Sequence, residues 1–222
     1  MEELKRLYLL DVNIFEDQEA YTQAYAGIDE DRRKKIDAYR FDKDKRLSLG
    51  AGFLLQKALA DMEITEYEIG YGECQKPYLV GHENIFFNLS HSGHMAALGI
   101  SDREIGVDIE REKEFRPSLI NYVFNDCDKE LAKELTHSCD LSDEQAYTRL
   151  WTVKESIMKY TGIGIGLEPK KIELYGKFDT GASPIIYVRS TEHDFERLRL
   201  TCMDLDGYQL TVCSEYDGFA LM

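Results

Sequence analysis

The chain has 222 residues, of which 43% are apolar and 31% charged, and carries a formal net charge of −15. That balance fits a water-soluble globular protein of one large domain or two compact ones, and it excludes a disordered or low-complexity chain. So acidic a surface repels a phosphate backbone, which speaks against a nucleic-acid partner, and no apolar run reaches the length of a signal core or a membrane span, so a cytoplasmic protein is expected. Five widely spaced cysteines (Cys74, Cys127, Cys139, Cys202, Cys213) without a C-x-x-C pair predict reduced, mostly buried thiols.

In chain order, Leu7–Val12 predicts an opening strand, the window 29–41 a charged helix, and Asp44–Met62 a second helix. In the latter, Leu47, Leu54, Leu55, Ala58 and Leu59 share an apolar face near the 3.6-residue period. Between Arg32 and Arg46 stand eight basic residues against three acids, a local positive excess in an acidic chain. It reads either as an anion site or as a solvated helix face. Tyr67–Tyr71, Ile85–Asn88, Ala96–Ile100 and Ile105–Ile109 predict short strands, with turns at Gly81-His82, Ser92-Gly93 and Ser101-Asp102. From Pro117 the pattern is helical through Ser118–Phe124, Cys127–Thr136 and Ser142–Tyr160, the last opening on a capping-box pattern from Ser142 to Gln145. Thr161–Gly166 predicts a helix end and a tight loop; no strand precedes its glycines, so it makes a poor dinucleotide fingerprint. Pro184–Arg189, Leu198–Met203 and Tyr208–Ser214 predict a C-terminal antiparallel sheet with a hairpin at Leu205-Asp206-Gly207. This order predicts an α+β fold of two halves, residues 1–102 and 103–222, divided near Ser101–Glu104.

Three constellations carry chemistry. In a strand, residues two apart share a face, so Asp108 and Glu110 point together while Val107 and Ile109 pack inward. On the long helix, a spacing of four brings Trp151, Glu155 and Lys159 to one face. If Glu155 converges with the strand carboxylates, three oxygen ligands suit a magnesium ion and leave room for phosphate, with Lys159 neutralising charge. Ser90 and His91, at the end of an apolar strand, offer hydroxyl, imidazole and backbone donors to a diphosphate. His91 and His94 make a weak metal pair, since no soft or acidic ligand stands beside them at metal spacing.

Taken together, Gln75-Lys76-Pro77-Tyr78, Phe87-Asn88-Leu89-Ser90-His91-Ser92, Gly106-Val107-Asp108-Ile109-Glu110 and Trp151-Thr152-Val153-Lys154-Glu155-Ser156 with Lys159 resemble the Sfp-type 4'-phosphopantetheinyl transferases in order and spacing. The resemblance implies a monomer of two similar α+β halves related by a pseudo-twofold, with coenzyme A in the cleft between them. It implies a magnesium-dependent transfer of phosphopantetheine to a serine of an acyl, peptidyl or aryl carrier protein. Asp108, Glu110 and Glu155 are the implied magnesium ligands, and Glu155, Lys159 and Asp108 the implied catalytic groups. Lys159 and His91 would meet the diphosphate, Ser90 and Lys76 the nucleotide end, and Arg46 and Lys34 the 3'-phosphate. Leu47 departs from the family, where a small hydroxylated residue is common. The carrier is expected against the segment from Ile120 to Leu141, with Tyr122, Val123 and Phe124 as contacts or as core of a short helix. The rival readings are a non-catalytic relative and a metal-dependent nuclease, the second disfavoured by the net charge.

Overall fold

The computed structural model describes residues 3–72, 74–177, 185–190, 195, 197–216 and 218–222. Strand β1 (Lys5–Asp11) leads through a 3-10 turn into helices α1 (Gln18–Gly27), α2 (Glu30–Ala38) and α3 (Asp42–Ala60). Strands β2 (Ile69–Tyr71), β3 (Pro77–Leu79), β4 (Phe86–Ser92), β5 (Met95–Ser101) and β6 (Ile105–Arg111) follow. Helices α4 (Pro117–Val123), α5 (Asp126–Ser138) and α6 (Asp143–Thr161) precede β7 (Ile172–Lys177), β8 (Ile185–Ser190), β9 (Arg199–Leu205), β10 (Tyr208–Ser214) and β11 (Ala220–Leu221). The architecture is α+β. One sheet has the order β11-β1-β5-β4 and another β6-β10-β9, with β2-β3 and β7-β8 as separate pairs. Only β11 pairs in parallel among these strands.

Helix starts follow their caps. Asp17, Asp29, Asn125 and Ser142 accept from backbone N–H groups at the starts of α1, α2, α5 and α6, and Asn125 and Ser142 form full capping boxes. Helix α6 stops where Gly162 takes φ 69°, a conformation glycine adopts without strain. Helix α3 starts two residues before the predicted Asp44, because Phe41 at its N-cap offers no side-chain acceptor and so leaves no mark in the sequence. Helix α1 has no counterpart among the predicted elements: its core-facing residues, Ala20, Tyr21, Ala24 and Tyr25, are small or amphipathic and make a weak apolar stripe, with only Ala24 buried. Pro184, the predicted start of a strand, lies outside the described residues.

One apolar core draws on residues 8–100 around α3, and a second on residues 115–213 around α6. A third joins Leu7 and Ala97 to Val107, Ile109, Leu210 and Val212. Strands β4 and β6 run side by side there without a backbone ladder. Instead, Val107 N–H donates to Asn88 Oδ1 (2.8 Å), Ile109 N–H to Ser90 Oγ (3.2 Å) and Arg111 N–H to Ser92 Oγ (3.1 Å). The polar face of β4 therefore serves in place of a strand partner for β6. Among the described residues no helix is long and apolar enough to cross a membrane. All five cysteines are free, but only Cys213 is buried; Cys74 and Cys127 are exposed, against the expectation of mostly buried thiols.

Candidate active site

Strand β6 passes under α6 so closely that a Cβ on Gly106 would stand 1.9 Å from the Ser156 carbonyl oxygen. That approach sets the Asp108-x-Glu110 face against the Trp151, Glu155 and Lys159 face of the helix. A pocket of about 460 Å³ opens there, lined by Asp108, Glu110, Trp151, Glu155 and Lys159 together with Arg32, Lys35, Ser90 and His91, and by Tyr71, Gln75 and Pro77.

Asp108 is 3% exposed. Its Oδ1 accepts from Ser90 Oγ (2.8 Å) and Lys159 Nζ (2.7 Å), while its Oδ2 is buried with no hydrogen-bond partner. A buried oxygen left so costs about 1–3 kcal/mol, so a further positive ligand is in demand at that atom. Glu110 Oε2 accepts from Ser92 Oγ (2.8 Å) and pairs with Lys113 (3.3 Å). Burial, then the charge of Asp108, raises the Glu155 carboxyl to about 7, with Glu110 adding and Lys159 opposing. Burial also pushes Asp108 up, opposed mainly by Lys159. Partial desolvation of the otherwise exposed His91 imidazole, followed by the charges of Lys159, Lys35 and Arg32, holds it below its ordinary value, so it is neutral at pH 7.

Among the described residues, no three His, Cys, Asp or Glu side chains are gathered closely enough to hold a metal as they stand. Lys159 occupies the Asp108 Oδ1 side instead, also donating to Ser90 Oγ (3.0 Å) and the Val107 carbonyl (3.1 Å). The donor set still fits a hard divalent cation: three carboxylates line one pocket, burial and the charge of Glu110 raise both Asp108 and Glu155, and one oxygen of Asp108 is unpartnered.

A model of the 4'-phosphopantetheinyl transferase superfamily matches residues 104–213, and one of the 4'-phosphopantetheinyl transferase N-terminal region matches residues 16–103. The chain belongs to this superfamily. It is 25% identical over 214 residues to a 4'-phosphopantetheinyl transferase of Bacillus subtilis, covering 87% of this chain and 85% of the relative. To 4'-phosphopantetheinyl transferase AcpT of Salmonella typhimurium it is 38% identical over 124 residues, 53% of this chain and 60% of the relative. To an L-aminoadipate-semialdehyde dehydrogenase-phosphopantetheinyl transferase of Xenopus laevis it is 26% identical over 163 residues, 66% of this chain and 53% of the relative.

In this transferase Asp108, Glu110, Glu155, Lys159, Ser90 and His91 share one pocket, whereas Lys34, Arg46 and Lys76 do not line it. Lys34 points away on α2, paired with Glu30 (3.0 Å) and Asp31 (3.3 Å). Arg46 pairs with Glu16 (3.3 Å) in a separate cavity of about 420 Å³ beside Phe15 and Tyr21. Lys76 uses its ammonium on Glu104 (2.6 Å) and on the carbonyls of Tyr160 (2.9 Å) and Ile105 (3.3 Å), tying the start of β6 to the end of α6. The basic residues that do face the pocket are Arg32 and Lys35. Helical spacing from buried Ile36 would have found them: residues 32, 35 and 36 share a face, and residue 34 lies opposite. Ser90 and His91 lie at the end of β4 as expected, and the strand runs on past the predicted Asn88 to Ser92 because the polar side chains of Asn88, Ser90 and Ser92 are the ones facing β6. Of the predicted carrier contacts, Tyr122 is 77% exposed, while Val123 and Phe124 are core.

Proposed function

We propose that this transferase moves 4'-phosphopantetheine from coenzyme A to a serine hydroxyl of an apo carrier protein and releases 3',5'-ADP, with magnesium as cofactor. The observation that carries the reading is a single pocket that gathers three carboxylates, one with an unpartnered oxygen on Asp108, together with Arg32, Lys35, His91 and Lys159. Such a pairing suits a diphosphate held between a divalent cation and fixed basic groups. Asp108, Glu110 and Glu155 would hold the cation, which supplies charge neutralisation at the diphosphate oxygens. The cleft would lie where two similar α+β halves meet along β4 and β6, each built round one of the 19-residue helices α3 and α6.

In the reaction the carrier serine oxygen bonds to the phosphorus bearing pantetheine, and the bond from that phosphorus to the bridging oxygen breaks, leaving its electrons on 3',5'-ADP. The serine proton passes to Glu155, directly or through a water, as the carboxylate of α6 that faces the pocket. Lys159 exchanges its bonds to Asp108 and Ser90 for the diphosphate, and neutral His91 donates a hydrogen bond to it. Arg32 and Lys35, rather than Lys34 and Arg46, take the 3'-phosphate. Leu119 and Tyr122, exposed on α4, offer the carrier an apolar surface, which matters because a −15 enzyme gains little from long-range attraction to an acidic partner. Intact-mass measurement of an apo carrier with coenzyme A and magnesium tests the reading, beside Glu155→Ala and chelated controls. A gain of one phosphopantetheine group, lost in both controls, is expected; no gain on any carrier class while coenzyme A still binds would reject the reaction.

A further inference from the structure

The two serines of the β4 seam do more than join strands. Each accepts a backbone N–H from β6 and donates its own proton to the carboxylate one residue earlier. Ser90 Oγ receives Ile109 N–H (3.2 Å) and donates to Asp108 Oδ1 (2.8 Å). Ser92 Oγ receives Arg111 N–H (3.1 Å) and donates to Glu110 Oε2 (2.8 Å). Asn88, next in the same register, bonds Val107 N–H at 2.8 Å. A side chain serving only to join strands would have no need of a carboxylate. Here the two-residue step of β4 is copied onto the two-residue step of the acidic pair, so the hydroxyl spacing fixes where both carboxylates point.

Ser90 lines the pocket; Ser92 does not. Ser92 nevertheless holds Glu110, whose side chain is 22% exposed and otherwise pairs with Lys113, 50% exposed. Loss of the hydroxyl leaves that carboxylate free to follow Lys113 toward solvent.

We propose that Ser92 is a positioning residue for the divalent-cation site, aiming Glu110 through its hydroxyl from outside the pocket. The inference rests on the reading that Asp108, Glu110 and Glu155 hold the cation. Outer-shell partners of metal ligands typically contribute 10–100-fold in affinity, and a partly exposed carboxylate places Ser92 near the low end, about tenfold.

The test is Mn²⁺ binding followed by electron paramagnetic resonance, which needs no turnover. It uses full-length wild type, Ser92→Thr, Ser92→Val, Glu110→Ala and the Ser92→Val/Glu110→Ala double variant. Threonine and valine fill the same volume on a strand and differ only in the hydroxyl, so their comparison does not depend on a truncated side chain folding. Ser92→Val is expected to weaken Mn²⁺ about tenfold relative to Ser92→Thr, and to add nothing once Glu110 is gone. Equal affinity in the Thr and Val variants, with wild type binding and Glu110→Ala weakened, overturns the role of Ser92 and leaves the cation site standing. An equal loss from Ser92→Val with and without Glu110 also overturns it, since the effect is then general to the strand. Wild type indistinguishable from Glu110→Ala overturns the cation reading itself, and the inference with it.

Discussion

Lys154 and Glu155 are neighbours on α6 with opposite tasks. Lys154 is completely buried; its ammonium pairs with Asp128 at 2.7 Å and donates to the carbonyls of Pro169 (2.7 Å) and Ile172 (2.6 Å). Asp128 in turn accepts from the N–H groups of Asn125 (2.8 Å) and Leu174 (3.0 Å). Burial pushes the lysine down and the aspartate up, so each depends on the other to stay charged. Lys154→Met strands the aspartate and is expected to cost about 3–5 kcal/mol, read from the urea midpoint, with Lys154→Met/Asp128→Asn recovering part of the loss. Glu155 instead faces the pocket, where its carboxyl rises from the ordinary 4.5 to about 7. Between those values the folded chain keeps a proton that the unfolded chain has lost, so this group's contribution to stability falls as pH rises. Asp108 shifts in the same direction. The melting temperature of metal-free protein should therefore decline from pH 5 to 8, and Glu155→Gln should flatten that decline.

At the scale of elements, the contact between β6 and α6 carries the site. Both backbones meet at Gly106, where a Cβ would stand 1.9 Å from Ser156 O and 2.5 Å from Tyr160 N. Neither is a side chain that can swing aside. Gly106→Ala is expected to cost about 3 kcal/mol and to remove activity with it, measured by denaturation alongside turnover. Much of this level was legible in the sequence: the capping box at Ser142 marked the start of α6, and the i,i+4 spacing placed Trp151, Glu155 and Lys159 together on one wall. The strand alternation was legible only in part, because Asp108 turned out as buried as its apolar neighbours. What escaped was the work done across space. Arg32 and Lys35 look no different from Lys34 until α2 is oriented by Ile36. Lys76 reads as a free cation until the Tyr160 and Ile105 carbonyls fold onto it. Asn88 and Ser92 carry no sign in sequence that β6 will lack a ladder partner on that side.

For the whole molecule, the uneven charge acquires a place. The chain is strongly acidic overall, yet Arg32, Lys35, His91 and Lys159 line the same pocket as its three carboxylates, with Lys159 bonded directly to Asp108. The carrier would approach separately, over α4. Tyr122→Ala is accordingly expected to raise the KM for carrier severalfold and leave coenzyme A affinity unchanged, as read from steady-state kinetics and calorimetry. The central claim is that this one pocket holds coenzyme A, with its phosphates met by Arg32, Lys35 and Lys159. Calorimetric titration of coenzyme A into wild type, Arg32→Ala/Lys35→Ala, Lys34→Ala and Arg46→Ala tests it most directly. The account predicts at least a tenfold loss for the Arg32/Lys35 pair, in line with about 1.5–3 kcal/mol for a hydrogen bond to a charged group, and near-wild-type affinity for the other two. Full affinity in the Arg32/Lys35 variant, with loss in Lys34→Ala or Arg46→Ala, would contradict it and move the ligand to another face of the protein.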